Sequence, residues 1–118
     1  MQCSSVLIVE DEETIRDTLR LSLELEGYEV RTACNGKEAL EVLPRMRRPC
    51  LILLDLMMPV MDGWGFVDAV DKDVTLATIP IVVVTAFSGS EKSIHAKQIV
   101  KKPFDLNELL HIVGQYCA

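Results

Sequence analysis

The sequence has little of what marks a secreted, membrane-spanning or nucleic-acid-binding protein. No apolar run approaches the ~20 residues of a spanning helix. The N-terminus also lacks the basic and then apolar pattern of a secretory signal. Acidic residues outnumber basic ones by 18 to 12, for a net charge of −6, whereas direct nucleic-acid binding needs a basic footprint. We therefore expect a cytoplasmic protein that contacts neither nucleic acid nor membrane directly.

Cysteine is scarce and scattered. The four cysteines form no C-x-x-C pair; they are Cys3, Cys34, Cys50 and Cys117. They could make two disulfides, but nothing else in the sequence indicates secretion, so reduced thiols in a cytoplasmic protein are the expectation. The chain has 118 residues, 49% of them apolar, without linkers or repeats. It is thus expected to form one ordered domain over residues 1–118.

Short strand-like runs, most of them apolar and the second alternating, are interspersed with segments of helical periodicity along the whole chain. They predict strands near residues 4–9, 28–33, 51–54, 79–84 and 98–101, with five intervening or flanking helices. The first, third and fourth strands are the most apolar and should be central. We expect an α/β, doubly wound, flavodoxin-like fold with a five-stranded parallel sheet of order 2-1-3-4-5. The fourth helix, near residues 93–97, should be short or irregular.

Chemically active side chains follow four of these strands. Glu10 and Asp11 follow the first, Asp55 the third, Thr85 the fourth and Lys102 the fifth. In a parallel sheet these ends share one edge, where open α/β folds bind their ligands. Three carboxylates placed together repel one another, and a hard cation such as Mg²⁺ removes that conflict.

This set of groups is suited to phosphoryl transfer. Asp55, if ionised, is a nucleophile that can form an aspartyl phosphate. The remaining requirement is positioning and charge stabilisation at the phosphoryl oxygens. Mg²⁺, the Lys102 ammonium and the Thr85 hydroxyl could each supply one such contact.

Four segments in this order resemble the response-regulator receiver domain of two-component signalling (CheY-like), and together they span nearly the whole chain. They are Val6-Leu7-Ile8-Val9-Glu10-Asp11-Glu12, Leu54-Asp55-Leu56-Met57-Met58-Pro59-Val60-Met61-Asp62-Gly63, Val83-Val84-Thr85-Ala86 and Lys102-Pro103-Phe104. The resemblance implies that Asp55 is the phosphoacceptor. It also implies that Glu10 and Asp11 form an acid pocket, with Asp11 the more direct Mg²⁺ ligand. The backbone carbonyl of Met57 would complete the protein ligands.

The resemblance further implies that Thr85 and Lys102 contact the phosphoryl group, and that the Lys102–Pro103 peptide bond is cis. A sensor histidine kinase or a histidine phosphotransfer protein would supply the phosphoryl group in a phosphorelay. A downstream protein target would read the altered surface. Such a domain is a phosphoacceptor that assists its own phosphorylation and dephosphorylation, and it is not an enzyme in the ordinary sense.

The chain departs from the family pattern around the fifth strand. Ile99 occupies a position that is usually aromatic and that normally moves together with the residue matching Thr85. The interval from Thr85 to Lys102 is also several positions shorter than receivers normally have. The face made by the fourth helix, fifth strand and fifth helix, which is the family's common output and dimer face, should therefore be altered.

Other residues near the site bear on its kinetics. Met57 and Phe87 flank the expected path of the attacking water, and neither can orient it, so we expect a fairly long-lived phosphoryl group. The two histidines, His95 and His111, lie in predicted helices and are not expected to carry phosphate.

Two other readings stay open. Because of Ile99 and the short fourth segment, the chain could be a degenerate receiver that binds partners without phosphorylation. The same sheet could also host a Mg²⁺-dependent phosphatase or a flavin carrier. However, Met57 stands where a haloacid-dehalogenase-type phosphatase has a second Asp, and four acids follow the first strand where a flavodoxin has its phosphate loop.

Overall fold

The computed structural model describes residues 4–86 and 94–117, which form one sheet with helices on both of its faces. The strands are β1 (Ser5–Val9), β2 (Glu29–Ala33), β3 (Leu51–Leu54), β4 (Ile81–Thr85) and β5 (Gln98–Lys101). The α-helices are α1 (Glu13–Leu25), α2 (Gly36–Val42), α3 (Gly63–Asp71) and α4 (Leu106–Tyr116), and a 3-10 turn (Leu43–Arg45) follows α2.

All pairings in the sheet are parallel, and the strand order is β2-β1-β3-β4-β5, as the sequence predicted. Every residue of β1, β3 and β4 is buried, whereas the edge strands β2 and β5 are largely exposed. The register aligns Val9 with Leu54 and Thr85 with Lys101, so that the strands end at a common edge.

Successive side chains of each central strand enter different hydrophobic clusters, one on each face of the sheet, because a strand has a side-chain period of two. Leu7 and Val9 pack with residues of α2 and α3, such as Ala39 and Phe66. Val6 and Ile8 pack with residues of α1 and α4, which include Leu19, Leu23, Leu109 and Val113. This two-sided core confirms the doubly wound fold.

Side-chain caps fix where several helices begin. The Oδ1 atoms of Asn35 and Asp105 accept hydrogen bonds from the backbone N–H groups of Glu38 (2.8 Å) and Glu108 (3.1 Å). Each cap has an acid three residues further on, which is a sequence signature of a helix start. Gly27, with φ of 94°, follows α1 in the left-handed region that favours glycine.

The described residues contain four α-helices, and the helix predicted as the fourth of five, near residues 93–97, is not found among them. Residues 94–97 have no helical structure, and residues 87–93 lie outside the described ranges. The backbone N–H of Lys97 donates to the carbonyl of Ile81 (2.8 Å). This hydrogen bond pairs Lys97 with β4 one residue before β5 begins. A backbone N–H that pairs with the sheet cannot also form a helical hydrogen bond.

The expectation of reduced thiols is wrong for two of the cysteines. Cys50 and Cys117 form a disulfide across 67 positions of sequence, with Cα atoms 5.4 Å apart, while Cys34 is a free thiol. Cys50 directly precedes β3 and Cys117 directly follows α4, which packs beside that strand. Spacing along the chain could not reveal this proximity. Cys3 lies outside the described residues.

No helix in the described ranges combines the length and the apolar character that crossing a bilayer demands.

Candidate functional site

Three carboxylates meet at the edge of the sheet where the strands end. One oxygen from each of Glu10, Asp11 and Asp55 lies within 4.8 Å of the others. Glu10 is 3% exposed and Asp55 is 6% exposed, whereas Asp11 is open to solvent. Backbone pairing continues one residue beyond the strands, since Glu10 N–H donates to the carbonyl of Ala33 and Asp55 N–H to that of Val9 (both 3.0 Å). The sheet itself therefore holds the two buried acids side by side.

Lys102 provides the opposite charge for this cluster. Its ammonium donates to Glu10 Oε1 at 2.7 Å and to Asp55 Oδ2 at 3.4 Å. Its backbone N–H donates to the carbonyl of Thr85 (2.9 Å), which anchors the lysine one step past β5. The peptide bond to Pro103 is cis, as the family resemblance implied.

Burial and charge change the titration of two of these groups. Burial raises the pKa of Glu10 to about 7, with a further contribution from the Asp55 charge, against the hydrogen bonds from Lys102 and from the backbone of Glu12. Burial by itself lowers the pKa of Lys102, but the bonds and charges of Glu10 and Asp55 outweigh it, so the net pKa is raised. At neutral pH the lysine is thus cationic, while Glu10 is close to its midpoint.

The loop after β3 is packed tightly against Asp55. Gly63 N–H donates to the carbonyl of Leu56 (2.9 Å). A Cβ atom at Gly63 would lie 2.8 Å from the Asp55 carbonyl oxygen and 2.7 Å from Leu56 Cδ2, so a larger residue would displace the backbone of Asp55. Asp62 caps α3 through the N–H of Gly65 (2.9 Å). A glycine at residue 63 therefore lets the start of α3 pack closely against the backbone of Asp55.

The remaining predicted site residues lie on elements that reach this edge. Thr85 is fully buried as the last residue of β4, next to β3 in the sheet. Met57 lies two residues after Asp55, and its N–H donates weakly to Asp55 Oδ1 (3.4 Å) while its side chain is exposed. Phe87 lies outside the described residues.

The two histidines lie elsewhere. His95 contacts Asp71 (3.4 Å) and His111 lies on α4, so neither belongs to the acid cluster.

Sequence reasoning missed one residue that shapes the site. Arg16, on the second turn of α1, donates from Nη1 to the backbone carbonyls of Glu10 (3.0 Å) and Asp11 (3.3 Å). This guanidinium binds the acidic loop through its backbone carbonyls rather than through its carboxylates. The available signal was an arginine soon after an acidic run, but that pattern alone does not distinguish a backbone contact from an exposed ion pair.

The chain belongs to the response regulator receiver domain family, whose model matches residues 6–114. Among curated proteins, the probable transcriptional regulator ycf27 of Pyropia yezoensis is 41% identical over 115 residues, covering 92% of this chain and 45% of that protein. The chain spans about half the length of the ycf27 relatives that it matches.

Solved receiver structures show the same fold. The Vibrio cholerae chemotaxis protein CheY4 superposes with a TM-score of 0.87 at 33% identity, covering 98% of this chain and 99% of that one. The receiver domain of the sensor histidine kinase PA1611 from Pseudomonas aeruginosa, described with a magnesium ion coordinated in its active-site cleft, gives a TM-score of 0.87 at 25% identity. It covers 98% of both chains. Membership of this family places the chain in phosphorylation-based signalling.

Proposed function

We propose that this domain is a phosphorylation-dependent switch in which Asp55 accepts a phosphoryl group from the phosphohistidine of a sensor histidine kinase or a phosphotransfer protein. One observation carries the proposal: Glu10, Asp11 and Asp55 converge within 4.8 Å, and the Lys102 ammonium contacts two of them. Acids paired only for stability would need no third carboxylate at the same point. Phosphoryl transfer uses all of these groups: Asp55 as the nucleophile, the carboxylates together as a metal site, and the Lys102 ammonium as a cation that binds the phosphoryl oxygens.

The donor set fits Mg²⁺. Carboxylate oxygens are the ligands this ion prefers, and it commonly binds through one or two of them together with water and phosphate. We propose that Glu10, Asp11, Asp55 and the backbone carbonyl of Met57 hold it, with Asp11 the most direct ligand because it faces solvent. When bound, Mg²⁺ would offset negative charge at the phosphoryl oxygens. The magnesium ion in the cleft of the P. aeruginosa receiver supports this assignment.

The chain's own residues then have distinct tasks. A carboxylate oxygen of Asp55 attacks phosphorus, and the bond from phosphorus to the donor imidazole nitrogen breaks, which leaves the electron pair on that nitrogen. Lys102 binds a phosphoryl oxygen and gives up part of its contact with Glu10, while the Thr85 hydroxyl donates to another oxygen. Water later hydrolyses the aspartyl phosphate. The domain is thus a phosphoacceptor that assists both of its own reactions.

The output is proposed to be protein contact. Phosphorylation adds charge and acceptor oxygens that would attract the Thr85 hydroxyl and the Lys102 ammonium. These two residues lie at the ends of the adjacent strands β4 and β5. A downstream protein would read the changed surface, and a dimer of the domain is one form of that readout. Whole ycf27 relatives are named as transcriptional regulators and are about twice as long. We assign residues 1–118 to a receiver domain alone. We propose that it works in the cytoplasm, together with the kinase that phosphorylates it.

The degenerate-receiver alternative rests on β5. Ile99 is partly exposed on this edge strand, in place of the usual aromatic residue. A domain that binds partners without phosphorylation would use the surface around β5 and would not need the acid cluster.

Phosphate incorporation separates the two functions. The full chain is incubated with acetyl phosphate and Mg²⁺, and intact mass reports the addition of one phosphoryl group. Incorporation is expected for the wild type, with loss in Asp55→Asn, in Asp55→Ala and after chelation of the metal. The matched control is Asp68→Asn, since Asp68 is an exposed acid on α3. A wild type that stays unmodified, or an Asp55→Asn variant that is still labelled, would refute the proposal; the first result would favour the degenerate receiver.

A further inference from the structure

A second chemically active pair lies at the edge of the sheet opposite the acid cluster. Cys50 directly precedes β3, whose other end leads to Asp55, and its disulfide partner Cys117 directly follows α4. The N–H of Cys50 donates to the carbonyl of Ser5 (2.8 Å) and that of Cys117 to the carbonyl of Val113 (3.0 Å). The covalent bond thus fastens the end of the last helix to the start of the central strand.

The two sulfurs differ in access. Cys117 is 5% exposed within the hydrophobic cluster formed by α1, α4 and the sheet, whereas Cys50 is half-buried. Attack by an incoming thiolate depends on access to the sulfur. Cys50 is therefore the point of entry for a reagent, and Cys117 is the leaving or resolving thiol.

We propose that Cys50 and Cys117 form a reversible thiol–disulfide site that controls how firmly the C-terminal turn of α4 is held. Its reagents are a small-molecule disulfide as oxidant and a dithiol as reductant. This inference goes beyond the proposed phosphorylation and does not depend on it.

Both reduction and oxidation proceed through a mixed disulfide between Cys50 and the reagent. In reduction, one thiolate of a dithiol attacks Cys50 Sγ, the bond between the two cysteines breaks, and Cys117 leaves as a thiolate that takes up a proton. The second thiolate of the reagent then attacks its own sulfur in the mixed disulfide, which releases Cys50 and forms the oxidised reagent. In oxidation, the Cys50 thiolate attacks one sulfur of a small disulfide and expels the other as a thiolate. The Cys117 thiolate then attacks Cys50 Sγ in the mixed disulfide, which forms the bond between the two cysteines and expels the second thiolate of the reagent.

The packing limits what reduction can change. Leu109, Ile112 and Val113 bury the body of α4 against the sheet without help from the disulfide. At the end of the helix, the Tyr28 hydroxyl donates to the Cys117 carbonyl at the long distance of 3.5 Å, and Tyr116 is only partly buried against the same cluster. Reduction should therefore loosen the last turn and leave the fold and the distant acid cluster intact.

The redox step is tested on the full chain in glutathione buffers that range from reduced to oxidised. Samples are quenched, alkylated and mapped by mass spectrometry. Cys50 and Cys117 should lose their alkylation together as oxidised glutathione increases, and dithiothreitol should restore it without denaturant. Cys34, a free thiol in the described part of the chain, provides the internal comparison, and Cys34→Ser should leave the pair unchanged. Independent alkylation of Cys50 and Cys117 in oxidised glutathione would overturn the proposal, as would a pair that dithiothreitol cannot reduce in the folded protein.

The structural consequence is tested by amide hydrogen exchange on the same samples. Reduction should speed exchange at Tyr116 and Cys117 by about tenfold, because local opening there no longer works against a covalent bond. Exchange at Leu53 and Leu54 should be unchanged, and Mg²⁺ affinity should stay within about twofold because these buried residues separate the two sites. Cys50→Ser and Cys117→Ala should reproduce the reduced pattern; if either fails to fold, chemical reduction of the wild type decides alone. Equal exchange at the last turn in both redox states would overturn control of α4.

Discussion

The Lys102 ammonium lies 2.7 Å from Glu10 Oε1 and 3.4 Å from Asp55 Oδ2, although 92 and 47 positions of sequence separate these residues. One cation thus bridges the acids that follow β1 and β3. The sheet places these carboxylates side by side, and before any metal binds the lysine offsets the repulsion between them. The contribution of this bridge to the stability of the fold can therefore be measured without phosphorylation.

Lys102→Met should destabilise the metal-free domain at pH 8 by about 2–3 kcal/mol, because removing one partner leaves buried carboxylates uncompensated. Urea unfolding measures the change. Adding Mg²⁺ should narrow the gap to the wild type, since the ion supplies the missing positive charge. The control is Lys72→Met, which removes a 3.4 Å contact to Asp68 between two largely exposed side chains; such a pair contributes about 0–1 kcal/mol. Equal losses for the two variants would show that burial of the Lys102 cluster contributes nothing.

The raised pKa of Glu10 predicts a pH dependence of stability. In the unfolded chain this group titrates near 4.5 and in the folded domain near 7, so between these values the folded state binds more protons. Its contribution is therefore fully present below about pH 4.5 and is lost as pH rises through about 7, a change of about 2 kcal/mol after allowing for screening. Urea unfolding of metal-free protein from pH 5 to 8 measures it.

Glu10→Gln should flatten that part of the pH profile, because glutamine is neutral on both sides of the window. Glu13→Gln, at an exposed acid in the first turn of α1, is the matched control and should keep the wild-type slope. A wild-type profile that rises from pH 5 to 8, with no difference between the two variants, would contradict the assignment.

The convergence at this edge could be predicted from the sequence because parallel topology aligns strand ends whatever their separation along the chain. Glu10, Asp55, Thr85 and Lys102 each lie at the carboxyl end of a predicted strand, and the order of the strands determines their neighbours. The backbone contact of Arg16 and the disulfide of Cys117 could not be predicted in the same way. They depend on where a helix packs and how its side chains turn, which periodicity does not specify. The segment 94–97 was misassigned because a weak helical pattern was outweighed by pairing beside β4.

Met57→Asn should accelerate hydrolysis of the aspartyl phosphate by roughly tenfold, because an amide beside the phosphoryl group can hold the attacking water where a thioether cannot. Met57 is exposed and its N–H already faces Asp55, so the new side chain reaches the site without disturbing the core. The measurement is decay of phosphorylated protein after removal of acetyl phosphate. Val60→Asn, at an exposed residue of the same loop, should decay like the wild type. An unchanged lifetime for Met57→Asn would remove the reason given for a long-lived phosphoryl group.

Val60 is expected to limit the stability of the same loop. It has a φ of 67°, in the left-handed region where a β-branched side chain is strained, and its side chain is 78% exposed, so little packing offsets the strain. Asparagine tolerates this conformation, so Val60→Asn should raise the free energy of unfolding by about 1 kcal/mol. Urea denaturation tests this against Val74→Asn, which changes another exposed valine whose φ is not positive. Both variants replace a largely exposed valine by asparagine, so the difference in stability between them measures the relief of backbone strain at residue 60. A Val60→Asn variant no more stable than Val74→Asn would contradict the prediction.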